Sequence, residues 1–162
     1  MAKFIMGIAI VAFASFCGYL LSKKFRRKKL FYMQFKEFNE RFLNEISYYK
    51  RPLKAFLFEY PYREEFKILI ENFISFRESS AIYELLQSQE FSFLNAEDKK
   101  ITADYFSMLG KGDCSSQKNY FSSAKERLAK LYGDAESLCK KYGNLYVKIG
   151  FLCGLLILIL II

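Results

Sequence analysis

Two kinds of hydrophobic order divide the chain: unbroken apolar runs at both ends, and apolar residues every three or four positions between them. Phe4 to Leu21 holds no charge and only Ser15 as a clear polar group. At 1.5 Å per residue such a run covers about 27 Å, close to a bilayer's hydrocarbon core, and predicts a transmembrane helix over residues 1–22. Ala12-Phe13-Ala14 imitates a signal-peptide cleavage site, but the apolar run continues past it and six basic residues follow, which favours a retained span. At the other end Ile149–Ile162 is uncharged, and with Lys148 reaching toward the headgroups the run extends back to Leu145. Leu155 to Ile162 is apolar on every face, the mark of a membrane helix rather than a one-sided core helix. This second span is placed at 147–162. Gly150 and Gly154 set two small residues one turn apart on it, a spacing that lets helices approach closely.

Between the spans the period is helical. Phe31, Phe35, Phe38, Phe42 and Tyr49 form one heptad stripe, with Glu45 on the same face. A buried carboxylate is costly, so Glu45 requires a partner, either a backbone end or a Lys or Arg of a facing helix. Pro52 and Pro61 each suit the first turn of a short helix, the second with Phe66, Leu69, Ile70 and Phe73 inward. A third short helix is expected over Ser80–Gln89, with Ile82, Leu85 and Leu86 inward. Asn95 is placed as N-cap of a helix over Ala96–Leu109, Asp98 lies in its first turn, and Gly110 supplies a left-handed C-terminal position. Asp113 then caps a long helix with the stripe Tyr120, Ala124, Leu128, Leu131, Ala135, Leu138, Tyr142 and Leu145, running straight into the second span. The fold class is all-α: two terminal transmembrane helices continue into long antiparallel helices, with a small bundle of short helices between them. Residues 23–30 form a basic juxtamembrane run and 31–146 the helical domain.

Charge orients this arrangement. Of 162 residues, 25 are Lys or Arg and 17 Asp or Glu, a net +8. Lys3 with Lys23, Lys24, Arg26, Arg27, Lys28 and Lys29 supplies seven of the positives, so from Leu30 onward the chain is nearly neutral. A basic cluster beside an apolar run reads as a topogenic signal rather than a nucleic-acid patch, and it sets 31–146 in the cytoplasm. Lys140, Lys141 and Lys148 before the second span agree.

Little reactive chemistry is written in the chain. It has no histidine, which removes imidazole ligands and His-dependent nucleophilic machinery. Its four cysteines, Cys17, Cys114, Cys139 and Cys153, lack zinc or redox spacing. Lys111-Gly112-Asp113 sits before a helix without the phosphate-loop pattern. No catalytic residue, cofactor or metal is expected, and the chain reads as a non-enzyme.

Three segments carry a resemblance. Glu45-Ile46-Ser47-Tyr48 followed by Pro52-Leu53, Leu109-Gly110 with Asp113 and Gln117, and Gly150-Phe151-Leu152 with Gly154-Leu155-Leu156 resemble, in order, the stage III sporulation protein AB family of endospore-forming bacteria. The resemblance implies a membrane component of the sporulation channel between mother cell and forespore, required for development of the engulfed forespore. Its cytoplasmic region would be similar to the platform proteins of type II secretion and type IV pilus systems. The implied partners are the secretion-type ATPase, stage III sporulation protein AA, and the other membrane subunits, in the mother-cell membrane facing the forespore. The alternative is a lipid-interacting or membrane-remodelling protein using the basic run 23–29.

Overall fold

The computed structural model describes residues 2–49, 51–76 and 79–161. Met1 and Ile162, the outermost residues of the two expected spans, lie outside the described residues. Helix α1 runs Ala2–Asn44 and passes into a π-helical turn, Glu45–Tyr49. Four shorter helices follow: α2 Leu53–Glu59, α3 Glu64–Phe76, α4 Ser79–Gln87 and α5 Ala96–Met108, with a 3-10 turn at Gln89–Phe91. Helices α6, Cys114–Tyr142, and α7, Leu145–Ile161, complete the chain. Among the described residues there is no strand, and the protein is all-α. The chain divides into two compact units, Met1–Lys29 with Gly133–Ile162, and Leu30–Tyr132.

The second unit is built on aromatic rings. Phe31, Phe35, Phe38 and Phe42 of α1 are buried as the stripe predicts, and they meet Phe56 of α2, Phe66 of α3, Phe106 of α5 and Phe121 of α6 at ring separations of 4.9–5.9 Å. Buried polar groups then fix the helices against one another. Asn39 of α1 donates to the carbonyl of Phe121 (3.1 Å) and accepts from the Tyr105 hydroxyl (2.8 Å), tying α1, α5 and α6. Asp98 closes a capping box with Asn95 and accepts from the Tyr32 hydroxyl at 2.7 Å, so one carboxylate both starts α5 and anchors it to α1.

Several expectations are corrected here. Tyr49 leaves the stripe and is 68% exposed, because the π turn adds residues to one helical turn and swings the following side chains round the axis. Pro61 does not open α3. The Gln34 side chain donates to the Arg63 carbonyl and accepts from its N–H, holding residue 63 outside the helix, and Glu64 begins α3 at φ +48°, in the left-handed region that non-glycine residues avoid. Helix α4 stops at Gln87, with Leu85 only half-buried, and the chain turns into the 3-10 segment. On α6 it is Phe121, not Tyr120, that is fully buried, and Leu138 of α6 and Leu145 at the start of α7 are exposed. The passage from α6 to α7 is broken by a turn at Gly143–Asn144.

In the first unit α1 and α7 pack antiparallel along small residues. A Cβ placed on Gly18 would lie 2.3 Å from the Tyr146 carbonyl oxygen, on Gly150 2.5 Å from that of Ala14, and on Gly154 2.8 Å from the Val11 Cα. Backbone meets backbone along this seam. Phe13 and Phe16 on α1, and Leu152 and Leu156 on α7, point outward. Two helical stretches, Met6–Tyr49 and Cys114–Ile159, are long and apolar enough to cross a membrane by length and composition, consistent with membrane association.

Candidate interaction site

The first two motif segments converge in the second unit. Glu45 and Ile46 from the π turn, Leu53 from α2, Gly110 from the turn after α5 and Gln117 from α6 line one cavity of about 180 Å³, with Phe42, Arg51 and Cys114. Leu109 is buried beside it. Gly110 is doubly constrained. Its φ of +75° suits glycine, and a Cβ there would stand 2.7 Å from Leu53 Cδ2.

The pocket's polar centre is Glu45, 4% exposed. Its Oε1 accepts from the Arg51 backbone N–H and Nε, both at 3.0 Å, and its Oε2 accepts from Arg51 Nη2 at 2.6 Å. The partner is therefore both a backbone group and an arginine, and it comes from the segment just after the π turn rather than from a facing helix. Arg51 also reaches Glu59 at 2.8 Å, tying α2 to the corner. Such a bidentate, charge-assisted pair is geometrically specific. Asp113 accepts from the backbone N–H groups of Ser115 and Ser116, capping α6, while Gln117 donates to the Gly112 carbonyl at 3.4 Å.

Two aromatic rings face outward at this corner. Tyr48, 78% exposed, and Tyr49 stand on the π turn, and Arg51 lies over the Tyr49 ring at 5.4 Å from its centroid. Pro52 precedes α2 as its N-cap. Glu45 is neutralised, Cys114 is exposed at the start of α6, and among the described residues no three His, Cys, Asp or Glu gather to hold a metal. Gly150 and Gly154 stand apart from this corner, in the first unit's helix seam. Of the basic run, Lys23, Lys24 and Arg26 are exposed and Lys29 pairs with Glu136 at 3.0 Å, while Arg27 and Lys28 are half-buried. Sequence reasoning missed Arg51, whose role no spacing rule signals.

The Arg51 side-chain hydrogen bonds hold the Glu45 carboxyl below its ordinary range, against the opposing effect of burial. A folded-state value below the unfolded one gives stability that is present above the unfolded pKa, about 4.3, and lost as pH falls through the folded value. Asp113 and Glu136 are also lowered, by hydrogen bonds from Ser115 and Ser116 and from Lys29, so a shared acid limb is expected. Comparing unfolding midpoints of the parent and Glu45→Gln from neutral pH into the acid range isolates Glu45. The variant should be less stable near neutrality and lose less on acidification, and parallel curves would contradict the pairing.

No curated protein and no solved structure matches the chain. The family model described as stage III sporulation protein AB matches residues 3–162, taking in both units and all three motif segments, and the chain belongs to that family.

Proposed function

We propose that this sporulation protein is a membrane-held, non-enzymatic platform in the channel complex between mother cell and forespore. In this reading α1 and α7 cross the mother-cell membrane, and the run from Lys23 to Lys29 keeps the second unit in the cytoplasm. That unit docks the complex's secretion-type ATPase, stage III sporulation protein AA, while the membrane helices meet the channel's other membrane subunits. The observation that supports a docking role is the corner itself. Two motif segments meet around a Glu45–Arg51 pair, and the rings of Tyr48 and Tyr49 are exposed beside it together with Arg51 and Pro52, tyrosine and arginine being residue types enriched at binding hot spots. The ATPase is the partner that the resemblance implies, and the exposed rings support this corner as the surface offered to it.

Capture of the full-length protein from sporulating cells should co-recover the ATPase. Tyr48→Ser with Tyr49→Ser should lower that recovery about tenfold or more at equal protein level, the loss of two hot-spot rings. No ATPase with the unsubstituted chain would sink the docking. Equal recovery by both chains would move it away from this corner.

A further inference from the structure

The polar ends of the two apolar helices meet within the first unit, and more gathers there than orientation of the chain requires. Phe25 of α1 stacks on Tyr142 at 5.5 Å and on Tyr146 at 5.8 Å, and the two tyrosines are 6.1 Å apart. Phe25 lies about one helical turn past Leu21, near 6 Å along the axis. Tyr146 precedes the apolar run from Ile149 by less than a turn. With α1 and α7 in a bilayer, the three rings occupy the headgroup layer, roughly 5–8 Å deep on each side, where amphipathic rings are favoured.

Exposed cations lie near this cluster in sequence on both arms of the hairpin. Lys23, Lys24 and Arg26 are exposed on α1, and Lys141 and Lys148 on α6 and α7. Arg26 lies over the Tyr19 ring at 6.0 Å and Lys141 over Tyr142 at 5.2 Å. Outside Lys3, the first unit sets nine basic residues (Lys23, Lys24, Arg26, Arg27, Lys28, Lys29, Lys140, Lys141, Lys148) against two carboxylates, Asp134 and Glu136. Glu136 is already engaged by Lys29 and by Lys140 at 3.4 Å. Charge on the flank of each span is what a topogenic signal requires; it does not require rings stacked between the two helices at that level. Below the cluster, Leu20 and Leu21 of α1 and Ile149 and Leu152 of α7 are exposed, giving acyl chains an apolar surface.

We infer that the junction of α1 with α6 and α7 is a binding site for anionic phospholipid. The headgroup phosphate is drawn to the cations flanking the Phe25–Tyr142–Tyr146 cluster, the glycerol region meets the rings, and the acyl chains lie along the exposed leucines. The site rests on α1 and α7 spanning a membrane, as the platform reading also requires, but it is independent of ATPase docking.

The test reconstitutes the full chain in nanodiscs of equimolar phosphatidylglycerol and phosphatidylcholine and releases it for native mass spectrometry. Reconstitution has no sidedness, so altered insertion does not confound it, and far-UV circular dichroism checks that each variant is folded. The parent chain should retain phosphatidylglycerol over phosphatidylcholine. Lys23→Gln, Arg26→Gln and Lys141→Gln together should cut that enrichment about tenfold or more, since each charge near a membrane surface is worth roughly fivefold. Lys118→Gln, Lys125→Gln and Lys130→Gln, which remove equal charge from the second unit, should leave it unchanged. Phe25→Leu with Tyr142→Leu and Tyr146→Leu should lower it at constant charge. No enrichment with the parent chain overturns the site. Equal loss from both charge variants reduces it to net charge and overturns it as a place, and full retention by the ring variant overturns the role of the cluster.

Discussion

Phe38→Ala should be the most damaging single substitution in the second unit. The ring is fully buried and meets Phe42, Phe56, Tyr62, Phe66, Tyr105 and Phe106 at centroid separations of 5.5–6.2 Å. Truncating a Phe in such surroundings costs about 3–5 kcal/mol, through lost transfer energy and the cavity left behind. Against a total stability of about 5–15 kcal/mol, that removes a large share. Hydrogen exchange of the full chain in micelles reads the change directly. Protected amides of α3 and α5 should exchange about a hundredfold faster or more. Phe58→Ala provides the contrast. Phe58 lies on α2, within two residues of Phe56, but is exposed, and its loss should stay within about 0.5 kcal/mol. If the two substitutions had similar effects, the ring cluster would not be the core that holds the helices.

Those contrasts mark what the sequence makes legible. Burial of Phe31, Phe35, Phe38 and Phe42 follows from a regular period, because in an unbroken α-helix spacing alone decides the face. The prediction fails at Tyr49, where a π turn intervenes that leaves no trace in composition. A slip of one position turns a side chain about 100° round the axis, which is why Phe121 rather than Tyr120 fills the core. Glu45 shows the same limit. Its need for a counter-charge is local chemistry, but Arg51 becomes its partner only once the π turn has bent the chain. The late start of α3 depends on Gln34, 29 positions before Arg63, so no local signal at Pro61 reveals it. The Asn95–Asp98 capping box is a local pattern; the Tyr32 hydroxyl that Asp98 also accepts lies 66 positions away. For the candidate site, the motifs supply Glu45, Ile46, Leu53, Gly110 and Gln117, while Arg51 and the convergence on one cavity are tertiary.

In the hairpin of α1 and α7 the decisive test is a substitution that gains atoms. Gly154 faces the Val11 Cα, with an added Cβ only 2.8 Å from it and 3.2 Å from the Ala14 Cβ. A main-chain atom cannot step aside as a flexible side chain can, so Gly154→Leu must push α7 away from α1. Lipid tails are as apolar as the side chains they replace, so helices in a bilayer associate through close packing rather than through the hydrophobic effect. Separation therefore removes the main force that holds the pair. Overpacking of this kind costs about 1–3 kcal/mol or more, and in a chain of this size each kcal/mol moves the Tm by about 2–4 °C. Gly133 gives the opposite sign. A Cβ there meets nothing within 4 Å, and Gly→Ala in a helix interior is worth up to about 1 kcal/mol. Thermal unfolding of the full chain in detergent should accordingly show a Tm about 5–10 °C lower for Gly154→Leu and a few degrees higher for Gly133→Ala, the slope per kcal/mol being the same. An unchanged Tm for Gly154→Leu would mean that α1 and α7 do not meet along this seam. The level at which Phe25 finds Tyr142 and Tyr146 would then have no support, and the lipid site would lose its frame with it.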